Sequence, residues 1–349
     1  MNRTLVSSAR VLLVESPLKR PFVTSQGCRL RTVNAAVFLR LRGGAEGYAE
    51  ASTSIAQKHL TAPALRRALE FLSRRSLGRD ARAWRALSDE AWARRGGLSP
   101  AASAFETALL GALAAESGMN LAGWLGGASR RLETDITLSA WSDPRMTRQA
   151  AAEAAAAGFR VLKIKVGGSP AADLARVRAA RAAAPKARLI LDGNQGFTPR
   201  GALSFVEAVM REGARVELLE QPTPKDDLAG LAFVAKRCPI PVAADESVAS
   251  PEDAARAAEA GVTAINIKLA KSGISRSLEI ASVARAAGLP LMIGCMAETA
   301  RGLAASVHFA LGTGFFRWAD LDSDLLLAED AASRRASGWT RRGRFAEIG

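Results

Sequence analysis

Three short acidic stretches, Leu191-Asp192-Gly193-Asn194, Leu219-Glu220-Gln221-Pro222 and Ala244-Asp245-Glu246-Ser247, each follow a run of apolar, largely branched residues. Their carboxylates lie 28 (220 − 192) and 25 (245 − 220) residues apart, the spacing expected of one strand–helix–strand repeat. On consecutive parallel strands Asp192, Glu220 and Asp245 would meet at one rim. Anions that close repel one another strongly unless a cation lies between them. An all-oxygen set suits a hard divalent ion, and Mg²⁺ is the expected one, with water and substrate completing its octahedron. Asn194 and Glu246 follow the ligands closely enough to support them by hydrogen bonds.

The second group of reactive residues is basic. Lys163 and Lys165 are two apart in Val161-Leu162-Lys163-Ile164-Lys165, so on a strand both point to one face. Lys268 sits in the same way in Ile265-Asn266-Ile267-Lys268-Leu269. An ammonium group inside an apolar run is costly without a partner. In a closed barrel the strands of Lys165 and Lys268 face each other, with the acid-bearing strands between them. The metal could then hold a substrate carboxylate and stabilise the enediolate formed when the adjacent carbon loses a proton. One lysine would remove that proton and the other return one to the opposite face, inverting the carbon. Lys163, a second cation next to Lys165, would help keep that base partly neutral. The constellation reads as racemase or epimerase chemistry.

The rest of the chain must position these groups. Its 349 residues allow a barrel and a second domain, and the 48% hydrophobic content allows a sizeable core. Strand candidates recur at 134–141, 161–166, 188–192, 216–220, 241–245, 264–269, 290–296 and 318–322, with Ala-rich helical patterns between them. That alternation implies parallel pairing, and the regular spacing favours a (β/α)8-type barrel, TIM-like and modified, over an open sheet. No GxGxxG, Walker or HExxH pattern competes with this reading. Residues 1–125 read as an α+β domain: short strands at 10–14, 33–41 and 47–51, a polar loop from Ser16 to Arg31, then helices. Residues 126–325 would form the barrel, and 326–349 a segment returning to the first domain.

The net charge of +14 is spread along helices, with one cluster at Arg334, Arg335, Arg341, Arg342 and Arg344. Aromatic residues make up only 5% of the chain, too few for base-stacking platforms, so nucleic acid is not expected as a partner. A basic nucleic-acid-binding protein without catalysis is the reading from another class, and the intact lysines and acids speak against it. No run of 18 uncharged apolar residues suggests a membrane partner. Cys28, Cys238 and Cys295 form no CxxC pair, which fits a reducing, cytoplasmic setting. A homo-oligomer is left open.

These residues resemble the enolase superfamily, in particular its muconate-lactonizing branch. The KxK of that branch appears as Lys163-Ile164-Lys165, its metal ligands as Asp192, Glu220 and Asp245, and its opposing lysine as Lys268. The resemblance implies Lys165 and Lys268 as the catalytic bases, Lys163 assisting, Mg²⁺ as cofactor, and an N-terminal capping domain whose loops close the barrel mouth. Within the branch the chain is most similar to dipeptide epimerases of the L-Ala-D/L-Glu type. The stretches 132–137, 226–231, Met296-Ala297-Glu298-Thr299 and Asp320-Leu321-Asp322 carry that similarity. It implies that Asp320 and Asp322 hold the free ammonium of a dipeptide, and that Met296 and Glu298 line its site. An arginine of the first capping loop, Arg29 or Arg31, would read an acidic side chain. The branch's other reactions (N-acylamino acid racemisation, o-succinylbenzoate synthesis, muconate cycloisomerisation) share the metal ligands and the KxK and form the alternative.

Overall fold

A computed structural model describes residues 2–328 and 337–349. Strands β1 (Val6–Thr24), β2 (Gly27–Leu41) and β3 (Glu46–Ala51) form an antiparallel sheet. Helices Ala62–Ser76, Trp84–Ala93 and Ser99–Glu116 bury Leu65, Leu69, Leu87, Phe105 and Leu109 against Leu39, Leu41 and Ala49 of that sheet. This is the capping domain.

After β4 (Arg131–Glu133), eight parallel strands follow in chain order: β5 (Ile136–Leu138), β6 (Val161–Lys165), β7 (Arg188–Asp192), β8 (Val216–Glu220), β9 (Val242–Ala244), β10 (Ala264–Ile267), β11 (Leu291–Gly294) and β12 (Phe316–Asp320). Each is hydrogen-bonded to its sequence neighbour. Seven helices of 8 to 18 residues connect them, starting Pro144, Pro170, Pro199, Leu228, Pro251, Leu269 and Ala300. Four of these begin on proline, whose fixed φ and missing N–H suit a first helical turn. The helices cover the outward face through Leu162, Ile164, Leu189, Leu191 and Leu219.

The seam between β12 and β5 closes by side chains as well as backbone. Asp135 N donates to Ala319 O at 2.9 Å, and Leu321 N to Thr134 Oγ1 at 2.8 Å. Thr137 N donates to Asp322 Oδ2 at 2.6 Å. The first and last strands are thus tied together by residues adjoining the acidic pair of β12.

Period two sorts the interior into layers. Ile190, Leu218, Ala243, Ala264, Met292 and Trp318 pack together, with Val161 beside them, as an apolar floor. Two residues further along the same strands come Asp192, Glu220, Asp245, Asn266, Gly294, Asp320 and Lys163. The strands therefore carry their acids and bases inward by the same alternation that buries the floor.

The loop expected from Ser16 to Arg31 is instead the outer half of a long β-hairpin. Its strands pair from Pro17↔Arg31, across an irregularity at 18–21, to Thr24↔Gly27. Gly27, at φ 146, ends a two-residue turn at Ser25-Gln26. Polar composition hid the strands, because both sheet faces here carry charged residues and no alternation survives. The tip docks on the barrel: Ser25 Oγ and Gln26 Nε2 both donate to Asn194 O at 2.8 Å, and Ala140 N to Val23 O at 2.9 Å.

The end of the chain touches both parts. Ala328 N donates to Pro17 O at 2.9 Å, while β13 (Thr340–Arg342) and β14 (Phe345–Glu347) form a small sheet with β4. Arg334 and Arg335 of the basic cluster lie outside the described residues. Among the described residues no helix is long and apolar enough to cross a membrane.

Candidate active site

Asp192 and Glu220 are register partners at the ends of β7 and β8, and Asp245 follows β9 directly. The three are 0%, 0% and 1% exposed. Each lies on a lysine. Lys163 Nζ stands 2.7 Å from Glu220 Oε2, 3.0 Å from Asp192 Oδ2 and 2.6 Å from Asp320 Oδ2. Lys165 Nζ is 2.6 Å from Asp192 Oδ2, and Lys268 Nζ 2.7 Å from Asp245 Oδ2. Lys165 and Lys268 therefore flank the acid trio from its two sides, with Glu220 between. All three lysines are at least nine-tenths buried.

Electrostatics follow from that packing. Burial works against every charge here, yet the neighbouring charges outweigh it for most groups. Asp192, Asp320 and Glu220 hold Lys163 ionised, well above its ordinary range, and Lys163 and Lys165 in turn hold Asp192 below the carboxylate range. Asp245, beside Lys268 and Lys271, is likewise lowered, and Lys268 is raised by Asp245 and Glu220. Glu220 goes the other way, pushed up to about 7 by burial and by Asp192. Glu246 rises to about 7 from burial and from Asp245 beside it.

The donor set suits a hard divalent cation. Glu220 Oε2 is fully buried with the Lys163 ammonium 2.7 Å from it, and among the described residues the buried Glu246 Oε2 and Asn194 Oδ1 have no hydrogen-bond partner. The backbone N–H of Asn194 donates to Asp192 Oδ1 at 3.0 Å. Asp192, Glu220 and Asp245 would hold the ion in place of the ammonium groups now on their oxygens.

A second acidic group lies at the seam. Oxygens of Asp135, Asp320 and Asp322 lie within 4.8 Å of one another. Asp320 also accepts from Thr137 Oγ1 at 3.3 Å, and Asp322 is pushed up to about 7 by burial and Asp320. Asp135 is raised by burial and by Asp320 and Asp322, and neither of its oxygens has a hydrogen-bond donor. At the mouth, the Phe22 ring centroid is 5.6 Å from Lys165 Nζ. Arg29 is the cross-strand partner of Phe22 and so shares its face of the hairpin. It is half-buried, and its contact within the protein is a 3.5 Å bond to Thr32 Oγ1. Arg31 instead turns outward to Glu15, at 2.7 Å and with its side chain 67% exposed. Glu298 lies beneath the capping domain, accepting from Ser52 Oγ at 3.0 Å. Met296 is half-buried at the end of β11 and supplies the carbonyl that receives Glu298 N.

Several contributors were not legible as such in the sequence. Asn266 Nδ2 donates to Glu220 Oε1 at 2.8 Å, and its interior phase, two before Lys268, was the available signal. Gly294 faces the site because a Cβ there would stand 2.7 Å from Lys268 Cε. Gln221, at φ 31, accepts Asp245 N at 2.8 Å and Ser247 N at 3.2 Å on one oxygen. Asp135 lies within the similar stretch 132–137 without a role being read for it there, and Lys271 lies in no motif; the packing brings out both.

Residues 145–337 match the model of the enolase C-terminal domain-like family. The chain belongs to this family. An aromatic dipeptide epimerase of Herpetosiphon aurantiacus is 38% identical over 335 residues, 93% of this chain and 92% of that one. The substrate-liganded L-Ala-D/L-Glu epimerase of Bacillus subtilis superposes with a TM-score of 0.93 at 31% identity, over 99% of this chain and 96% of that one. A dipeptide epimerase of Enterococcus faecalis V583, complexed with Mg and L-Leu-L-Tyr, gives 0.91 at 30% identity, over 99% and 97%. This enolase-superfamily chain is an isomerase of the racemase and epimerase class.

Proposed function

We propose that the protein is a Mg²⁺-dependent dipeptide epimerase that inverts the α-carbon of the C-terminal residue of an L-Ala-D/L-Glu-like dipeptide. The observation that carries this reading is the pair Lys165 and Lys268 on opposite flanks of three buried carboxylates. A cation held by Asp192, Glu220 and Asp245 supplies neutralising charge for the substrate carboxylate as the α-proton leaves. Lys165, unprotonated, takes the α-proton of one isomer and becomes an ammonium. Lys268, protonated, delivers a proton to the opposite face of the same carbon. For the other isomer the two exchange roles, so one turnover moves the positive charge from Lys268 to Lys165 and leaves the pair's summed charge unchanged.

The seam acids support a dipeptide over a neutral acyl derivative. A desolvated ammonium needs anionic acceptors, and Asp320 and Asp322 offer them beside a third carboxyl, Asp135. Arg29, a half-buried guanidinium bonded to no carboxylate among the described residues, supports an acidic side chain. The similarity to the Bacillus subtilis epimerase agrees with that choice. Free Cys28, Cys238 and Cys295 support a cytoplasmic setting.

The test is proton exchange in D₂O with a dipeptide library and Mg²⁺, read by mass. Deuterium should enter the α-carbon of the C-terminal residue alone. Lys165→Ala and Lys268→Ala should each abolish epimerisation while retaining exchange with opposite isomers. Exchange of both isomers in either variant would refute the two-base assignment.

A further inference from the structure

Asp245 carries an ammonium on each carboxylate oxygen. Lys268 holds Oδ2 at 2.7 Å, and Lys271 holds Oδ1 at 2.8 Å. Lys271 has no part in the proton transfer proposed above. Its Nζ also donates to Asp245 O, and to Asn266 O at 3.1 Å. All three donors of this ammonium are thereby committed to the rims of β9 and β10. Lys268, by contrast, must release its carboxylate to reach a substrate carbon. The turn that bears Lys271 is pinned from outside, since Ser103 Oγ of the capping helix donates to Leu269 O at 2.6 Å.

We propose that Lys271 is a positioning residue for metal binding. It fixes Oδ1 so that Asp245 keeps its orientation, and presents Oδ2 to the divalent cation, once Lys268 lets go. This rests on the reading of Asp245 as a metal ligand. The backbone of Asp245 needs no such help. Gln221 already holds its N–H, and secures itself by donating to Thr223 O at 3.0 Å and Ser247 Oγ at 2.8 Å. The carboxylate orientation is the job left for Lys271.

Two effects of removing Lys271 have opposite signs, which makes the assignment testable. A cation beside the site repels Mg²⁺, so charge alone predicts tighter binding in Lys271→Met. Loss of orientation predicts weaker binding, by about 10- to 100-fold for a group that supports a ligand. The measurement is calorimetric titration of Mg²⁺ into full-length wild type, Lys271→Met and Lys271→Arg without dipeptide, with melting curves in chelator as a folding control. We expect Lys271→Met to weaken Mg²⁺ within that range and Lys271→Arg to recover most of the loss. Saturating Mg²⁺ should then restore kcat of Lys271→Met. Should Lys271→Met fail to fold, Lys271→Ala, which likewise removes all three donors, should show the same weakening. Unchanged or tighter Mg²⁺ binding would overturn the assignment, as would a kcat loss that saturating Mg²⁺ leaves in place. Absence of Mg²⁺ binding by wild type would overturn the metal reading itself, a separable outcome.

Discussion

Two buried groups of acids, one in the barrel and one under the capping domain, solve the same problem in different ways. In the barrel, Asp192, Glu220, Asp245 and Asp320 lie against Lys163, Lys165 and Lys268 at 2.6 to 3.0 Å. Under the capping domain, Glu50 accepts from Asn34 Nδ2 at 3.0 Å, Tyr48 OH at 2.7 Å and Thr299 Oγ1, while Glu298 accepts from Ser52 Oγ. No lysine or arginine pairs with either acid among the described ion pairs of the protein. Neutral donors can stabilise one anion there, and the second carboxyl is pushed up to about 8 by burial and by Glu50. Ammonium groups keep most of a cluster charged and ready to exchange one cation for another. Hydroxyls and amides lock two domains together around an acid that resists ionising. The first arrangement suits chemistry, the second suits docking.

The largest effect should come from Asp192→Asn. It removes the anion shared by Lys163 and Lys165, leaving buried cations short of a partner. A broken buried pair costs about 3–5 kcal/mol, to be read as a lower melting temperature in chelator at pH 7. Epimerisation should fall by about a thousandfold or more, since Asp192 is one of the proposed metal ligands. Melting unchanged from wild type would erase the distinction drawn between the two clusters.

Arg29 is a third case, a half-buried cation with no ion pair to an acid among the described residues. Arg29→Met should lower kcat/KM for dipeptides with an acidic C-terminal residue by about 10- to 100-fold, the loss of one charge-assisted hydrogen bond. Apolar dipeptides should be turned over nearly as before. An equal loss on both classes would mean that Arg29 supports the hairpin rather than the ligand.

The smallest effect should have the opposite sign. Burial and the nearby Glu50 push the Glu298 carboxyl from its ordinary 4.5 up to about 8, so the folded state binds its proton more tightly than the unfolded state. Wild type therefore loses stability as pH climbs from about 4.5 to about 8, and the loss is absent below that window. Glu298→Gln does not titrate. Its melting temperature should rise relative to wild type across the window, by a few degrees at pH 8, and converge below pH 4.5. A difference independent of pH would remove the protonated acid from the domain seam.

Much of the barrel was legible because its strands are buried on both faces and short. Apolar runs ending in Asp192, Glu220 and Asp245 can be read from residue types alone, and period two then places Lys163, Lys165 and Lys268 on the inner face without coordinates. The hairpin from Ser16 to Arg31 was not legible, because an exposed ribbon leaves no hydrophobic alternation to read. Arg29 and Arg31 are two apart on one strand and period two does not separate them; packing alone sets the first against Thr32 and the second on Glu15.

Residue type and spacing alone determined the chemistry, since acids at strand ends and alternating lysines are local facts of a repeating fold. Tertiary structure decided who partners whom. Lys271 reaches Asp245 across two strand ends, 26 residues away in sequence, and Thr137 reaches Asp322 across the barrel seam, 185 away. Such contacts form only when the sheet closes, because closure brings strand ends within hydrogen-bonding distance that the chain itself keeps far apart.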